Sequence, residues 1–295
     1  MAYTLINGKE VSEKVLEQIK QEVTELKQAD KKTPHLVAVL VGDNAASMAY
    51  VNSKIKACEK VGVTSTLVKF EKETAEKEIL AKLEELNNDA DIDGYIVQLP
   101  LPKHISEQKI IEAIKPSKDV DGFHPVNVGK LVLNLPTYIS ATPYGIIQLL
   151  EYYKIPTQGK HCVVIGRSNI VGSPMSILMA KNTLFANCTV TLCHSKTENL
   201  KHYTLDADII IAAIGRPNFV TADMVKQGAT VIDVGINRVP STDTKSGFKL
   251  VGDVAFDDVA PKCAFITPVP GGVGLMTIAS LLKNTLLAAK KEIYK

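Results

Sequence analysis

The sequence predicts an α/β protein of two domains, the C-terminal one a Rossmann-like doubly wound parallel sheet, and three observations lead there. Short, continuously apolar runs alternate with stretches of helical period, the pattern of strands covered on both faces by helices. The 295 residues, 45% apolar and 22% charged, have ordinary globular composition and suffice for about two domains with sizeable cores. In the second half, a strand, a glycine turn and a helix start follow one another as they do in the first crossover of a nucleotide-binding sheet.

In chain order, residues 11–27 carry apolar positions at helical spacing, and 35–42 is the first buried strand. A helix over 47–61, a strand over 64–70, a helix over 74–88 and a strand over 94–100 continue the alternation. Residues 116–143, rich in Pro, Gly and Asn, form a loop-dominated crossing with a domain boundary near residue 142. A helix over 143–153 leads into strands at 162–166, 189–193, 208–213 and 230–235, with a helix over 174–181 after the first of these. The last helix, 276–293, has an apolar face, but periodicity does not name its partner.

Composition excludes several functions. A net charge of +2 with Lys and Glu interspersed gives no footprint for a nucleic acid. No apolar run approaches the ~20 residues of a membrane span, and charge enters within the first ten residues, before a signal peptide's apolar core could form. Cys58, Cys162, Cys188, Cys193 and Cys263 are odd in number and lack the spacing of a zinc site, so reduced thiols, a cytoplasmic protein and no metal are expected.

Residues 162–175 place Gly166, Arg167, Ser168 and Gly172 between a strand and a helix start, where unpaired N–H groups and the helix dipole can hold a phosphate. The spacing is not G-x-G-x-x-G, so a purely structural turn is the competing interpretation. The next strand ends in Cys193-His194-Ser195, without the Asp or Glu that would bind a ribose 2′-hydroxyl. Arg167 and Ser195, with His194 or Lys196, suit a 2′-phosphate instead, which favours NADP; a solvated surface arginine is the alternative. Gly215 and the Gly235-Ile236 pair follow the next two strands, at the edge where such sheets bind ligands, although glycines there also serve simply as turn formers.

In the first half, Tyr50 and Lys54 are four apart beside the apolar stripe of Val51, Ile55 and Cys58. A partly desolvated lysine there has a lowered pKa and can act as a base; otherwise Lys54 snorkels to water and Tyr50 is core. Gln98 interrupts an apolar strand near its C-terminal end, and Asp121 lies in a tight turn, where it grips a ligand's N–H donors or caps its own backbone. Residues 267–277 hold three glycines and two prolines with no ordinary packing use, which points to a rigid, low surface against a ligand, with a strand-to-helix connection as the alternative.

Together, Tyr50-Val-x-x-Lys54, Gln98-Leu-Pro-Leu-Pro102, Lys118-Asp-Val-Asp-Gly122, Gly166-Arg-Ser-x-x-Val-Gly-x-Pro174 and Pro268-Val-Pro-Gly-Gly-Val-Gly274 resemble the bifunctional methylenetetrahydrofolate dehydrogenase/cyclohydrolase family over nearly the whole chain. The resemblance implies NADP-dependent oxidation of 5,10-methylenetetrahydrofolate to the methenyl cation, then hydrolysis to 10-formyltetrahydrofolate, in a homodimer. It implies residues 1–142 plus 275–295 as the catalytic, folate-binding domain, 143–274 as the NADP domain, and a cleft between them. Lys54 becomes the central cyclohydrolase residue, assisted by Gln98, with Tyr50 packing near the folate, Asp121 on the pterin, and Pro270, Gly271 and Gly272 bordering the substrate. Arg167 and Ser195 go to the 2′-phosphate, Gly166, Ser168 and Gly172 to the pyrophosphate, and Gly215, Ile236 and Thr277 to the remaining cofactor surface. The chain departs from the commonest family pattern at Leu275, where proline is usual, and at Ala45 and Met48.

Overall fold

A computed structural model describes residues 3–242, 244 and 247–295. The chain divides into two units, one of Met1–Ser12 and Thr142–Thr277, the other of Glu13–Ala141 and Ile278–Lys295. The expected parse put all of 1–142 in the folate-binding domain. The first twelve residues go instead with Thr142–Thr277, because strand β1 (Thr4–Leu5) pairs in parallel with β11 (Cys263–Ile266) and Ile6 donates its N–H to Ile266 O at 2.8 Å. The later boundary falls after Thr277 and not before Leu275.

The second unit is built on a three-stranded parallel sheet, β3-β2-β4, with β2 (His35–Val41) between β3 (Thr64–Phe70) and β4 (Gly94–Val97). Side chains alternate across a pleated strand, and here both faces are buried. Leu36, Ala38, Leu40 and Ile96 share a core with α1 (Gly8–Gln28), α2 (Ala45–Val61) and Leu281, Leu282 and Leu286 of α10 (Val273–Ala289). Val37, Val39, Val41, Tyr95 and Val97 point the other way and pack with α3 (Glu76–Asn88) and α4 (Glu107–Ala113). That two-sided burial is why β2 reads as one apolar run. β4 stops at Val97, short of the expected Pro100: Gln98 N–H makes a last bond to Val39 O at 2.9 Å, and Pro100 has no N–H to give. The expected loop crossing contains a further helix, α5 (Pro125–Val132), before α6 (Ala141–Tyr152).

The first unit carries a six-stranded sheet in the order β1-β11-β8-β7-β5-β6, parallel throughout. Its strands are β5 (His161–Ile165), β6 (Thr189–Cys193), β7 (Ile209–Ala212) and β8 (Ala229–Asp233), joined by β11 and β1. Taking β5, β6, β7, β8 and β11 as first to fifth, the order is 2-1-3-4-5: doubly wound, with its switch point between β5 and β7. Helices α7 (Gly172–Ala180) and α8 (Leu200–Asp206), the short α9 (Phe256–Val259) and an antiparallel ribbon of β9 (Asn237–Pro240) and β10 (Phe248–Val251) complete the unit. Among the described residues no helix is long and apolar enough to cross a membrane, no metal-binding cluster occurs, and all five cysteines are free thiols.

Candidate functional site

Helix α2 starts at Asn44, whose side chain accepts the N–H groups of Ala46 and Ser47, and burial of Val51, Cys58 and Val61 in the core sets the rotation of the helix. That rotation turns Lys54 inward, with 8% of its surface exposed, while Tyr50 remains 43% exposed. The alternative in which lysine snorkels and tyrosine is core is thus inverted. Lys54 Nζ donates to Gln98 Oε1 at 3.1 Å, and Gln98 Nε2 in turn donates to Leu99 O at 2.8 Å, which orients the amide oxygen toward the lysine. Burial lowers the Lys54 pKa; the field of Asp121 opposes this and does not overcome it. Asp121 feels the reverse: burial raises its pKa and Lys54 lowers it.

The turn bearing Asp121 follows Asp119, whose backbone bridges to Tyr95 of β4. Its backbone-capping carboxylate is not Asp121, as one expectation had it, but Asp119. The latter accepts the N–H groups of Phe123 at 3.2 Å and His124 at 2.8 Å, and Asn127 Nδ2 at 2.8 Å. Burial pushes the Asp119 pKa up to about 7 against the pull of those three donors. The Asp121 side chain makes no hydrogen bond among the described residues, so its oxygens are uncommitted. Lys54, Gln98 and Asp121 therefore form one cluster with Tyr50 on the same helix: an amine, its amide partner and a free carboxylate.

In the other unit, Gly166 ends β5 with φ 117°, and a side chain there would overlap the Ala213 carbonyl after β7. A side chain at Gly172 would overlap the Gly166 carbonyl, so the turn is closed by backbone lying on backbone. Free helix N–H groups were expected to hold a phosphate here, and the geometry corrects this. Ser168 Oγ accepts from Val171 N at 3.1 Å and Gly172 N at 3.4 Å, Ser168 O accepts from Ser173 N at 3.0 Å, and Pro174 has no N–H. The hydroxyl of Ser168, already accepting two amides, keeps its own proton to donate outward. Ser168 and Arg167 are exposed. Because Ile165 pairs with Cys193 across β5 and β6, Arg167 and Ser195 each lie two residues past the same rung; both side chains are exposed and without a hydrogen-bond or ion-pair partner among the described residues. His194 Nδ1 is occupied, accepting Lys196 N–H at 3.2 Å.

Two buried carboxylates that sequence reasoning passed over organise the remaining loops. Asp253 accepts the N–H groups of Ile214, Gly215 and Arg216 at 2.7–2.9 Å, and Asn237 Nδ2 at 2.9 Å. The N–H of Gly215 is thus spent internally. Asp233 accepts from Gly235, Asp253 and Val254, each at 2.9 Å, and burial raises its pKa to about 6. Ile236, 42% exposed, lies between residues held by the two carboxylates. The signal for both was an acid within an apolar run, Val-Ile-Asp233-Val and Val-Gly-Asp253-Val.

The Gly/Pro loop has a packing use after all. A side chain on Gly8, the first residue of α1, would overlap the Gly272 carbonyl, and one on Gly272 would overlap Pro268 O. Thr267 Oγ1 takes Asp233 N–H at 2.7 Å, and Thr277 Oγ1 lies 3.0 Å from Thr142 Oγ1. Pro270 and Leu275 are exposed and Gly271 is half-buried, so the outer part of the loop is the part open to a ligand.

The catalytic-domain profile of tetrahydrofolate dehydrogenase/cyclohydrolase matches residues 6–121, and the profile of its NAD(P)-binding domain matches residues 140–293. The bifunctional protein FolD of Cytophaga hutchinsonii is 64% identical over 97% of this chain and 98% of its own. The crystal structure of FolD methylenetetrahydrofolate dehydrogenase/cyclohydrolase from Campylobacter jejuni matches with TM-score 0.93 and 48% identity, covering 99% of this chain and all of that one. The Trypanosoma brucei enzyme, complexed with NADP cofactor and inhibitor, matches with TM-score 0.94 and 33% identity over the full length of both chains.

Proposed function

The chain belongs to the tetrahydrofolate dehydrogenase/cyclohydrolase family, and from its site geometry we propose how it oxidises 5,10-methylenetetrahydrofolate to the 5,10-methenyl cation with NADP and hydrolyses that cation to 10-formyltetrahydrofolate. The observation that carries the assignment of roles is Lys54: a buried amine, its charged form disfavoured, tethered by one hydrogen bond to Gln98.

NADP, when bound, supplies the acceptor for the hydride that leaves the methylene carbon. The chain fits it. Ser168 offers an O–H to a diphosphate, Gly166 and Gly172 put no side chain of their own in its way, and Arg167 with Ser195 offers a fixed cation and a hydroxyl to the 2′-phosphate. The four residues directly after β6, His194 to Thr197, include no carboxylate to repel that phosphate. Gly215, Ile236 and Thr277 line the rest of the cofactor surface, Gly215 through its open Cα side because its N–H belongs to Asp253.

Asp121 accepts N–H groups of the pterin, and Tyr50 packs its ring against the folate. A neutral Lys54 does not repel the cation that forms as hydride leaves. It then takes a proton from the water attacking the methenyl carbon, its N–H directed to Gln98 Oε1 and its lone pair left for the water. Breaking the C–N5 bond moves the remaining hydroxyl proton to N5, so one proton is released per turnover. Purified protein given methylenetetrahydrofolate should reduce NADP, and added methenyltetrahydrofolate should decay above its uncatalysed rate. Silence in both assays would overturn the activity, and hydrolysis persisting in Lys54→Met would overturn the role of that lysine. A cytoplasmic homodimer is the inferred working form; a monomer mass by light scattering would refute the dimer.

A further inference from the structure

We propose that Asn284, on the C-terminal helix α10, is a positioning residue for Asp121: it fixes the turn that presents the Asp121 carboxylate to the pterin. The inference rests on the folate-binding role given to Asp121 above. Asp121 is the one acid of its turn whose carboxylate is uncommitted, while the backbone on each side of it is held. On the N-terminal side, the Val120 carbonyl accepts Asn284 Nδ2 at 2.8 Å. On the C-terminal side, the Gly122 carbonyl accepts Ser140 Oγ at 3.0 Å. The same Asn284 Nδ2 also donates to Ile139 O at 2.9 Å, so one amide nitrogen binds the turn to the segment that carries Ser140.

Asn284 is 1% exposed on a helix whose neighbours Leu281, Leu282 and Leu286 lie in an apolar core. An amide in that setting costs free energy unless its polar atoms are paired, and leucine would serve packing better. What asparagine adds is a donor to two carbonyls that helix α10 could not otherwise reach. With the peptides on both sides of Asp121 fixed, the ordering that folate binding would require of the turn is already done, and only the side-chain torsions of Asp121 remain to be set.

A carbonyl anchor of purely structural purpose would lower stability and leave binding alone, so the test is a double-mutant cycle read in binding. Tetrahydrofolate and NADP affinities would be measured by titration for the wild-type protein, Asn284→Ala, Asp121→Ala and the double variant. We expect Asn284→Ala to weaken tetrahydrofolate about ten-fold, the scale of one net hydrogen bond, with NADP affinity unchanged. In the Asp121→Ala background the same substitution should add less than about two-fold, because the residue it positions is gone. An undiminished ten-fold effect there, or a lowered melting temperature with tetrahydrofolate affinity unchanged, would overturn the proposal. If Asp121→Ala by itself left tetrahydrofolate binding intact, the role of Asp121 would fall first, which separates the two failures. Should Asn284→Ala not fold, Ser140→Ala breaks the other anchor and is held to the same criteria.

Discussion

Lys54 and Cys58, one turn apart on α2, show burial acting on opposite kinds of acid. It lowers the ammonium's pKa and lifts the thiol to about 12, so that both side chains favour their neutral forms. For the thiol this means inertness; for the amine it means a proton given up more readily than a free lysine gives up its own. Hydrolysis should therefore rise with pH along a limb lying below the ~10.4 of a free lysine. Lys54→Met should remove that limb and cost about a hundred-fold or more in methenyl hydrolysis, followed by loss of the methenyl absorbance. Stability should respond in step: between the lowered folded pKa and the unfolded one, the unfolded chain binds more protons, so unfolding becomes harder as pH rises through that window. The Arg167 side chain, exposed and without a partner among the described residues, has no comparable structural duty. Arg167→Ala should leave the melting temperature within about a degree and weaken NADP ten-fold or more while NAD is unaffected, a contrast that steady-state kinetics with the two cofactors would reveal.

Elements with a strong period were legible, and elements that depend on partners were not. β2 and the β5-β7-β8 set announce themselves as apolar runs because both faces are buried. β9 and β10 form a ribbon whose residues are mostly exposed, and β1 is two residues long, so neither leaves a pattern in sequence. In the candidate site, residue types were readable and hydrogen-bond assignments were not. Ser168 looked like a pyrophosphate neighbour, yet its capping of α7 depends on a backbone fold that spacing alone does not specify. Ser168→Ala should cost about 1 kcal/mol in stability through the lost cap and also weaken NADP, measured by melting with and without cofactor. The Asp253 turn gives a sharper case. Asp253→Asn sets an NH2 group against N–H donors where an oxygen is required, and should destabilise the protein by about 2 kcal/mol in a denaturant titration.

At the scale of the molecule, the chain passes between its two units three times, after Ser12, Ala141 and Thr277. Pairing of β1 with β11 makes the start of the chain an edge of the nucleotide sheet. Deleting the residues before Ile6 should accordingly speed amide exchange in Cys263–Ile266 and leave His35–Val41 protected. Anchoring the Asp121 turn from α10 has a consequence in time. A growing polypeptide leaves the ribosome from its N-terminus, so every residue of the nucleotide unit is synthesised before Asn284 exists, and the Asp121 turn, made well before that unit, waits for the side chain that sets it. A chain truncated after Thr277 and released should retain NADP and not folate, so that gain of the second ligand would report the arrival of Asn284 at the Asp121 turn.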